Sequence, residues 1–230
     1  MCPNTFYDDL AETYDSHYQD GTFLAENRMI MDQLRKMAAG RSIVDIGCGT
    51  GLVLEYLDIA PEHYVGIDVS DKMLEVARRK FPDHRFVKDT FEGTRWGDLE
   101  YLKRPYLVVS LFGSPSYFVH ASEIGRKLAK LPKRSAFFFM FYSHRNLGKP
   151  DYIANSEGRS ISRFIYSASE LGYSFGQYGF QSLSVEPFSC FLAGRSNLSE
   201  RAARAILIAE RMVSPILKDR GFFQIVKGIV

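Results

Sequence analysis

The run Val44-Asp45-Ile46-Gly47-Cys48-Gly49-Thr50-Gly51 decides how this chain folds. Ser42–Ile46 reads as a short apolar strand, the glycines as a sharp turn, and Leu52–Leu57 as the start of a helix. Glycines at a strand-to-helix junction let backbone N–H groups approach a ligand closely. Open α/β sheets bind ligands at the carboxyl ends of their strands, near such a crossover. A dinucleotide fingerprint runs G-x-G-x-x-G, but here the order is G-x-G-x-G, and Leu52 stands at the third glycine's position. Asp45, two residues before the first glycine, would repel a pyrophosphate and attract an ammonium group, directly or through water.

Outward from this turn, strands and helices alternate. Tyr64–Ile67 is a second strand closed by Asp68, and Ser70 caps a helix whose face is Met73, Leu74, Ala77 and Phe81. Arg85–Val87 is a third strand, with Asp89 just beyond it. Tyr106–Leu111 and Ser135–Phe141 are a fourth and a fifth, separated by a helix over Ser122–Leu131. This pattern predicts right-handed βαβ units and a parallel sheet. The last two strands are nearly all apolar, as strands covered on both faces are. An acid about twenty residues after the turn suits a ribose diol, and Asp89 is placed to accept a hydrogen bond from an adenine amino group. Three acids at three strand ends outline a ligand with an amino acid end, a ribose and an adenine.

Ahead of this unit, Tyr7, Leu10, Ala11, Tyr14 and Tyr18 recur at the spacing of one helix face, with Asp8, Asp9, Glu12 and Asp15 between them. Three tyrosines make an unusual core stripe, because each buried hydroxyl needs a partner. A second helix spans about Thr22 to Ala39 and stops at Gly40. Beyond the fifth strand, Lys149–Ser160 reads as a polar loop or lid. Ser167–Tyr178 reads as a helix and Phe180–Phe188 as a sixth strand. Ser199–Asp219 is an amphipathic helix bent by Pro215, and Phe222–Ile229 a last strand.

The chain's 230 residues, 46% hydrophobic and 24% charged, are ordinary for a globular protein, which excludes a disordered or fibrous reading. A net charge of +2 does not call for nucleic acid or membrane as the main partner. Cys2, Cys48 and Cys190 are too few and unpaired in spacing for a disulfide framework or zinc, and point to a reducing, cytoplasmic setting. The opening MCPNTFYDDL lacks the apolar core of a signal peptide, and no apolar run is long enough to span a bilayer. The five histidines show no metal-ligand spacing. His144, between Tyr142 and Arg145 past the fifth strand, is a candidate base or substrate ligand as well as an ordinary loop histidine.

VDIGCGTG, GIDVSDKML and FVKDT resemble the first three motifs of the class I, Rossmann-like S-adenosylmethionine-dependent methyltransferases of small-molecule type. The resemblance covers roughly Tyr7 to Phe141 in order, and the rest more loosely. It implies one α/β domain over residues 1–230: a doubly wound, seven-stranded, mostly parallel sheet with its last strand antiparallel. An N-terminal helical cap would span 1–40, and a helical insertion 190–220. S-adenosylmethionine is the implied cofactor. Asp45, Gly47, Gly49 and Gly51 would lie on its methionine side, Asp68 on the ribose, Val69 and Met73 beside the adenine, and Asp89 with Thr90 at the adenine edge. Ser110 to Tyr117 occupy the region where the family places substrate contacts, with Ser110 also on the cofactor. Tyr7 or Tyr14 would face the sulfonium, and Arg28 is the candidate for the methionine carboxylate. Tyr14, Tyr117 and His144 are the candidate catalytic side chains. The cap and the helix at Ser199–Asp219 are candidate lids.

The chain departs from the family in having Pro105-Tyr106 where an Asp or Asn often opens the fourth strand, and it lacks the Asn-Pro-Pro-Tyr type signature of amino-methylating DNA enzymes. The implied activity is methyl transfer to a small molecule by in-line displacement. Aminocarboxypropyl transfer or cyclisation releasing methylthioadenosine would use the same nucleoside contacts, and a module that senses S-adenosylmethionine without turnover is a further reading.

Overall fold

The structure, a computed structural model, describes residues 3–146, 163–192 and 198–230. The expected lid at Lys149–Ser160 lies outside them. At the centre stands β1 (Ser42–Ile46), paired in parallel with β2 (Tyr64–Asp68) and β4 (Tyr106–Ser110). Parallel pairing continues outward to β3 (Arg85–Lys88) and β5 (Ala136–Tyr142). The chain then adds β6 (Ser182–Phe188) and β7 (Phe223–Ile229), and β7 inserts antiparallel between β5 and β6. The sheet order is β3-β2-β1-β4-β5-β7-β6. Strand order reverses between β1 and β4, which opens a crevice above their carboxyl ends.

The helices are α1 (Pro3–Leu10), α2 (Gly21–Met37), α3 (Leu52–Tyr56), α4 (Asp71–Lys80), α5 (Ala121–Leu128), α6 (Ala168–Gly176) and α7 (Glu200–Leu217). Alternation within Ala-Phe-Phe-Phe-Met-Phe-Tyr of β5 divides the core in two. Phe138 and Met140 join Ile43 and Leu107 beneath α2, α3, α4 and α7, through Leu34, Leu54, Leu74 and Leu207. Phe137, Phe139 and Phe141 join Val44 and Val108 beneath α5 and α6, through Ile124, Leu128, Leu171 and Phe175. Side-chain caps fix the helix starts: Asp20 for α2, Ser70 for α4, Ser199 for α7, and a capping box of Ser167 with Glu170 for α6.

One expected element differs. The tyrosine stripe from Tyr7 to Tyr18 is not one helix. α1 ends at Leu10, and Tyr14–Tyr18 winds as a separate 3-10 turn. The hydroxyls of Thr13 and Ser16 bond to the carbonyls of Leu10 and Thr13, competing with a continuous helix. Asp15 is drawn instead to Thr50 and Lys80.

Candidate functional site

The glycine turn takes the left-handed backbone that its sequence allows. Gly47, Gly49 and Gly51 have φ of 72°, 53° and 93°, values that only glycine adopts readily. The N–H groups of Gly47 and Cys48 donate to the Ile67 carbonyl at 2.7 and 3.1 Å, tying the turn to the end of β2. A Cβ on Gly47 would lie 2.8 Å from that of Ser114, so the turn also closes against the loop after β4. Asp68 Oδ2 accepts from Gly49 N–H at 2.9 Å, and its Oδ1 from Ser70 N–H at 2.9 Å. Burial raises its pKa, against the pull of these N–H donors.

Asp45 is 2% exposed, and its Oδ2 accepts the Tyr64 hydroxyl at 2.9 Å. Burial lifts its pKa to about 7. At the end of β4, the buried Ser110 hydroxyl has no hydrogen-bond partner among the described residues.

Three acids from the first eighteen residues lash a cap over this crevice. Asp8 accepts from Ser70 Oγ at 2.6 Å and from Lys72 N–H at 3.2 Å, at the start of α4. Glu12 pairs with Arg79 at 2.6 Å. Asp15 accepts the Thr50 hydroxyl at 2.5 Å and Lys80 Nζ at 2.8 Å, and Lys80 also pairs with Glu55. Held this way, Ala11 packs on Met73 and Val76, with Tyr7 and Tyr14 alongside.

Five tyrosines meet under the cap: Tyr7, Tyr14 and Tyr18 from the cap, Tyr117 from the loop after β4, and Tyr142 from the end of β5. Ring centroids lie 6.3 Å apart for Tyr7–Tyr14, Tyr7–Tyr117 and Tyr117–Tyr142, and 5.1 Å for Tyr14–Tyr18. The Tyr117 ring lies between those of Tyr7 and Tyr142, and the Tyr14 ring beside that of Tyr18. Burial pushes the phenols of Tyr14 and Tyr142 up to about 12, and those of Tyr7, Tyr18 and Tyr117 upward as well. All five are therefore neutral near pH 7. The Arg163 guanidinium lies 4.5 Å from the centre of the Tyr142 ring. Gly113, at φ 90°, makes room for this ring; a Cβ there would overlap it.

The fold thus brings together Tyr7, Tyr14, Tyr117, the glycine turn, Asp68, Met73 and Ser110. The other candidates have protein partners of their own. Arg28 pairs with Glu200 of α7 at 2.6 Å, and lines a separate cavity of about 400 Å³ with Met31, Arg35, Tyr56 and Arg204. His144 Nε2 sits 3.1 Å from Glu170 at the start of α6. Asp89 directs Oδ1 to its own turn, accepting from Thr90 N–H at 2.8 Å, while the Thr90 hydroxyl accepts from Gly93 N–H at 2.9 Å. α7 packs chiefly on α2 and β6. The acids Asp8, Glu12 and Asp15, read from sequence only as the polar side of the first helix, prove to be its anchors. Their signal was present in the basic end of α4, Arg78-Arg79-Lys80.

Residues 43–133 match the family model described as a methyltransferase domain. Among curated proteins, the chain is 30% identical over 124 residues to dTDP-3-amino-3,4,6-trideoxy-alpha-D-glucopyranose N,N-dimethyltransferase of Streptomyces venezuelae, covering 53% of this chain and 50% of that protein. It is 33% identical over 33% of its length to a probable 18S rRNA (guanine-N(7))-methyltransferase of Dictyostelium discoideum, covering 28% of that protein. The chain thus spans half or less of the curated relatives it matches. Among solved structures, a Thermotoga maritima S-adenosylmethionine-dependent methyltransferase, described as a possible histamine N-methyltransferase, superposes with a TM-score of 0.59 at 16% identity over 98% of both chains. Streptomyces venezuelae DesVI gives 0.56 at 18% identity over 95% of this chain and 97% of that one. At such identities these structures share the fold.

The cofactor of that fold meets suitable residues here. The glycine cradle admits close backbone approach, Asp68 retains lone pairs for a diol, and the orphaned Ser110 hydroxyl faces the same strand ends. Residues 43–133 match a methyltransferase domain, and the sheet order around them is the fold shared with S-adenosylmethionine-dependent methyltransferase structures.

Proposed function

We propose that this protein methylates a small-molecule acceptor, held in the ring of tyrosines above the glycine turn. The observation that carries this reading is the convergence of Tyr7, Tyr14, Tyr18, Tyr117 and Tyr142 next to Asp68, beneath a cap anchored to the cofactor cradle itself. When bound, S-adenosylmethionine supplies a methyl group already activated by its sulfonium. Asp68 would hold its ribose, Asp45 would serve its amino acid end, and Met73 would lie beside the adenine. The cap excludes water, which strengthens each electrostatic contact inside. Alignment of acceptor and methyl within a closed site supplies much of the acceleration of an in-line displacement.

The phenols are neutral and poor bases at pH 7. Their part is to orient the acceptor through hydroxyl oxygens and to face charge with their rings. An amine suits such a site. Its N–H groups donate to phenol oxygens, and the positive charge that nitrogen gains on methylation lies against aromatic faces. The amino-sugar methyltransferase among the relatives supports the same choice.

The test is to incubate the protein with S-adenosylmethionine, alone and with a panel of primary amines, phenols and carboxylates, and to identify the nucleoside released. S-adenosylhomocysteine formed only with an amine is the expected result. Methylthioadenosine without any acceptor would mean that the aminocarboxypropyl carbon is attacked, and the methyl-transfer reading would fall.

A further inference from the structure

We infer that the outer face of α7 is a docking surface for an anionic lipid bilayer. α7 lies flat on α2 and β6 through Ala203, Leu207 and Leu217. Its opposite side carries a ridge of large apolar side chains at helical spacing: Ile208 is 51% exposed, Met212 81%, Val213 39% and Ile216 80%. Half of the large hydrophobic residues exposed among the described residues lie on this one helix. Ala205 and Ala209, also exposed, lie along the same ridge. Solvent does not select such a face, and contiguous exposed apolar surface usually marks an interaction site.

The charges beside the ridge say what kind of partner fits. Arg201, Arg204 and Arg211 stand exposed on the helix, and Lys218 and Arg220 follow it. The acids of this stretch are engaged elsewhere. Glu200 pairs with Arg28; Glu210 is buried and accepts from Cys190 and Phe191 N–H; Asp219 accepts from Ala168 N–H. Of the basic groups, Arg204 has a carboxylate nearby, Asp32 at 3.8 Å. The chain's overall charge of +2 therefore hides a local excess. An apolar ridge flanked by arginines is the pattern of a helix lying in the plane of a membrane interface, its side chains in the acyl boundary and its guanidinium groups at the phosphates. No described helix is long and apolar enough to cross a membrane, so association would be peripheral.

A second copy of the chain fits less well. One helix face offers a few hundred Å² of apolar surface, against roughly 800 Å² per partner in a standard interface. Its basic flank would also meet the basic flank of its mate. A bilayer needs no such area, because each buried methylene and each nearby cation adds to a reversible partition. The position suits the site: α7 runs on into β7, whose Phe223 ring stacks 5.3 Å from that of Tyr142.

The experiment is flotation of the full chain with vesicles of phosphatidylcholine containing a quarter phosphatidylglycerol, and with vesicles of pure phosphatidylcholine, at low and high salt. Binding is expected to the anionic vesicles alone and to fall with salt. Met212→Glu and Ile216→Glu should abolish it. Arg201→Ala or Arg211→Ala should each weaken it about fivefold. Tyr173→Glu, at an equally exposed position on α6, should leave it unchanged. All of these variants should keep the parent's melting temperature and S-adenosylhomocysteine affinity, since the side chains are exposed and remote from the cradle. Absence of flotation by folded protein, or undiminished flotation of Met212→Glu, would overturn the inference. So would a dimer in light scattering that Met212→Glu dissociates, which would assign the face to a second copy.

Discussion

Replacing Asp45 by Asn should move cofactor affinity and stability in opposite directions, and the sizes follow from one buried carboxyl. Asp45 is 2% exposed, bonds the Tyr64 hydroxyl and has its pKa raised by burial from 3.8 to about 7. A group whose folded pKa lies above its unfolded one favours folding while protonated. In the ligand-free protein that contribution is complete below about pH 4 and is lost as pH rises through 7. The difference of about three units corresponds to roughly 4 kcal/mol. Asn carries no charge and can still accept from Tyr64, so Asp45→Asn should raise the melting temperature by several degrees at about pH 8 and change it little at about pH 5. On the proposed reading, the same carboxylate, once ionised, would face the ammonium of the ligand. If only the ionised form binds well, the apparent Kd scales inversely with the ionised fraction. S-adenosylhomocysteine should then bind about tenfold more weakly at about pH 6 than at about pH 8. Calorimetric titration across that range provides the readout, with Asp45→Asn weaker at about pH 8 and nearly flat with pH. A flat profile for the parent protein, or a variant that keeps the parent's slope, would show that Asp45 is not the group on the amino end; Asp68, whose pKa is also raised, would be next to test.

Four further outcomes are expected. Glu26, 5% exposed and bonded by Ser189, has its pKa raised by burial from 4.5 to about 7; the same sign argument gives Glu26→Gln a gain of up to roughly 3 kcal/mol above about pH 7 and little at about pH 5, read by thermal melts. Gly113→Ala forces φ 90° on a residue with a Cβ and drives that Cβ into Tyr142. It should cost roughly 1–3 kcal/mol of stability and most of the turnover, by melting and product formation. Removing residues 1–20 should weaken S-adenosylhomocysteine binding by about tenfold or more, a loss near 1.4 kcal/mol or beyond; unchanged affinity and turnover would end the lid role of the cap. Lys80→Met releases Asp15 and Glu55 together, and stopped-flow displacement should then show faster release of S-adenosylhomocysteine, an effect that high salt reproduces in the parent protein.

The sheet was legible because its signals are local and redundant. Glycines at a strand end, acids closing β1 and β2, and unbroken apolar runs at β4 and β5 each point to one architecture, and the family resemblance supplied the antiparallel strand. The cradle residues Gly47, Gly49, Gly51 and Asp68 are positioned by that backbone alone, so their places could be read in advance. Long side chains were harder. Arg28 lies on a helix adjoining the site, yet its direction depends on α7, which enters the sequence about 170 residues later. His144 follows β5 as expected, but the capping box of α6 captures it through Glu170. The break at Leu10 was hidden because periodicity continues across it: Tyr14 and Tyr18 still point inward after the helix has ended. Helix spacing located the face, while the anchors Asp8, Glu12 and Asp15 needed knowledge of where α4 lies.

The strand order has a consequence for how the protein is made. Among the described residues, β6 pairs only with β7, and β7 alone shields the outer edge of β5. While the ribosome is still producing α7, the segment Ala-Phe-Phe-Phe-Met-Phe-Tyr of β5 must wait with one row of amides and carbonyls open, and β6 waits with both. An aromatic edge without charge is a template for pairing with a neighbouring chain. The nascent protein is thus most exposed to misassembly just before Phe223 emerges. A stop anywhere ahead of that residue should yield insoluble product even though every proposed cofactor ligand has already been synthesised, which makes the β7 segment the gatekeeper of soluble expression.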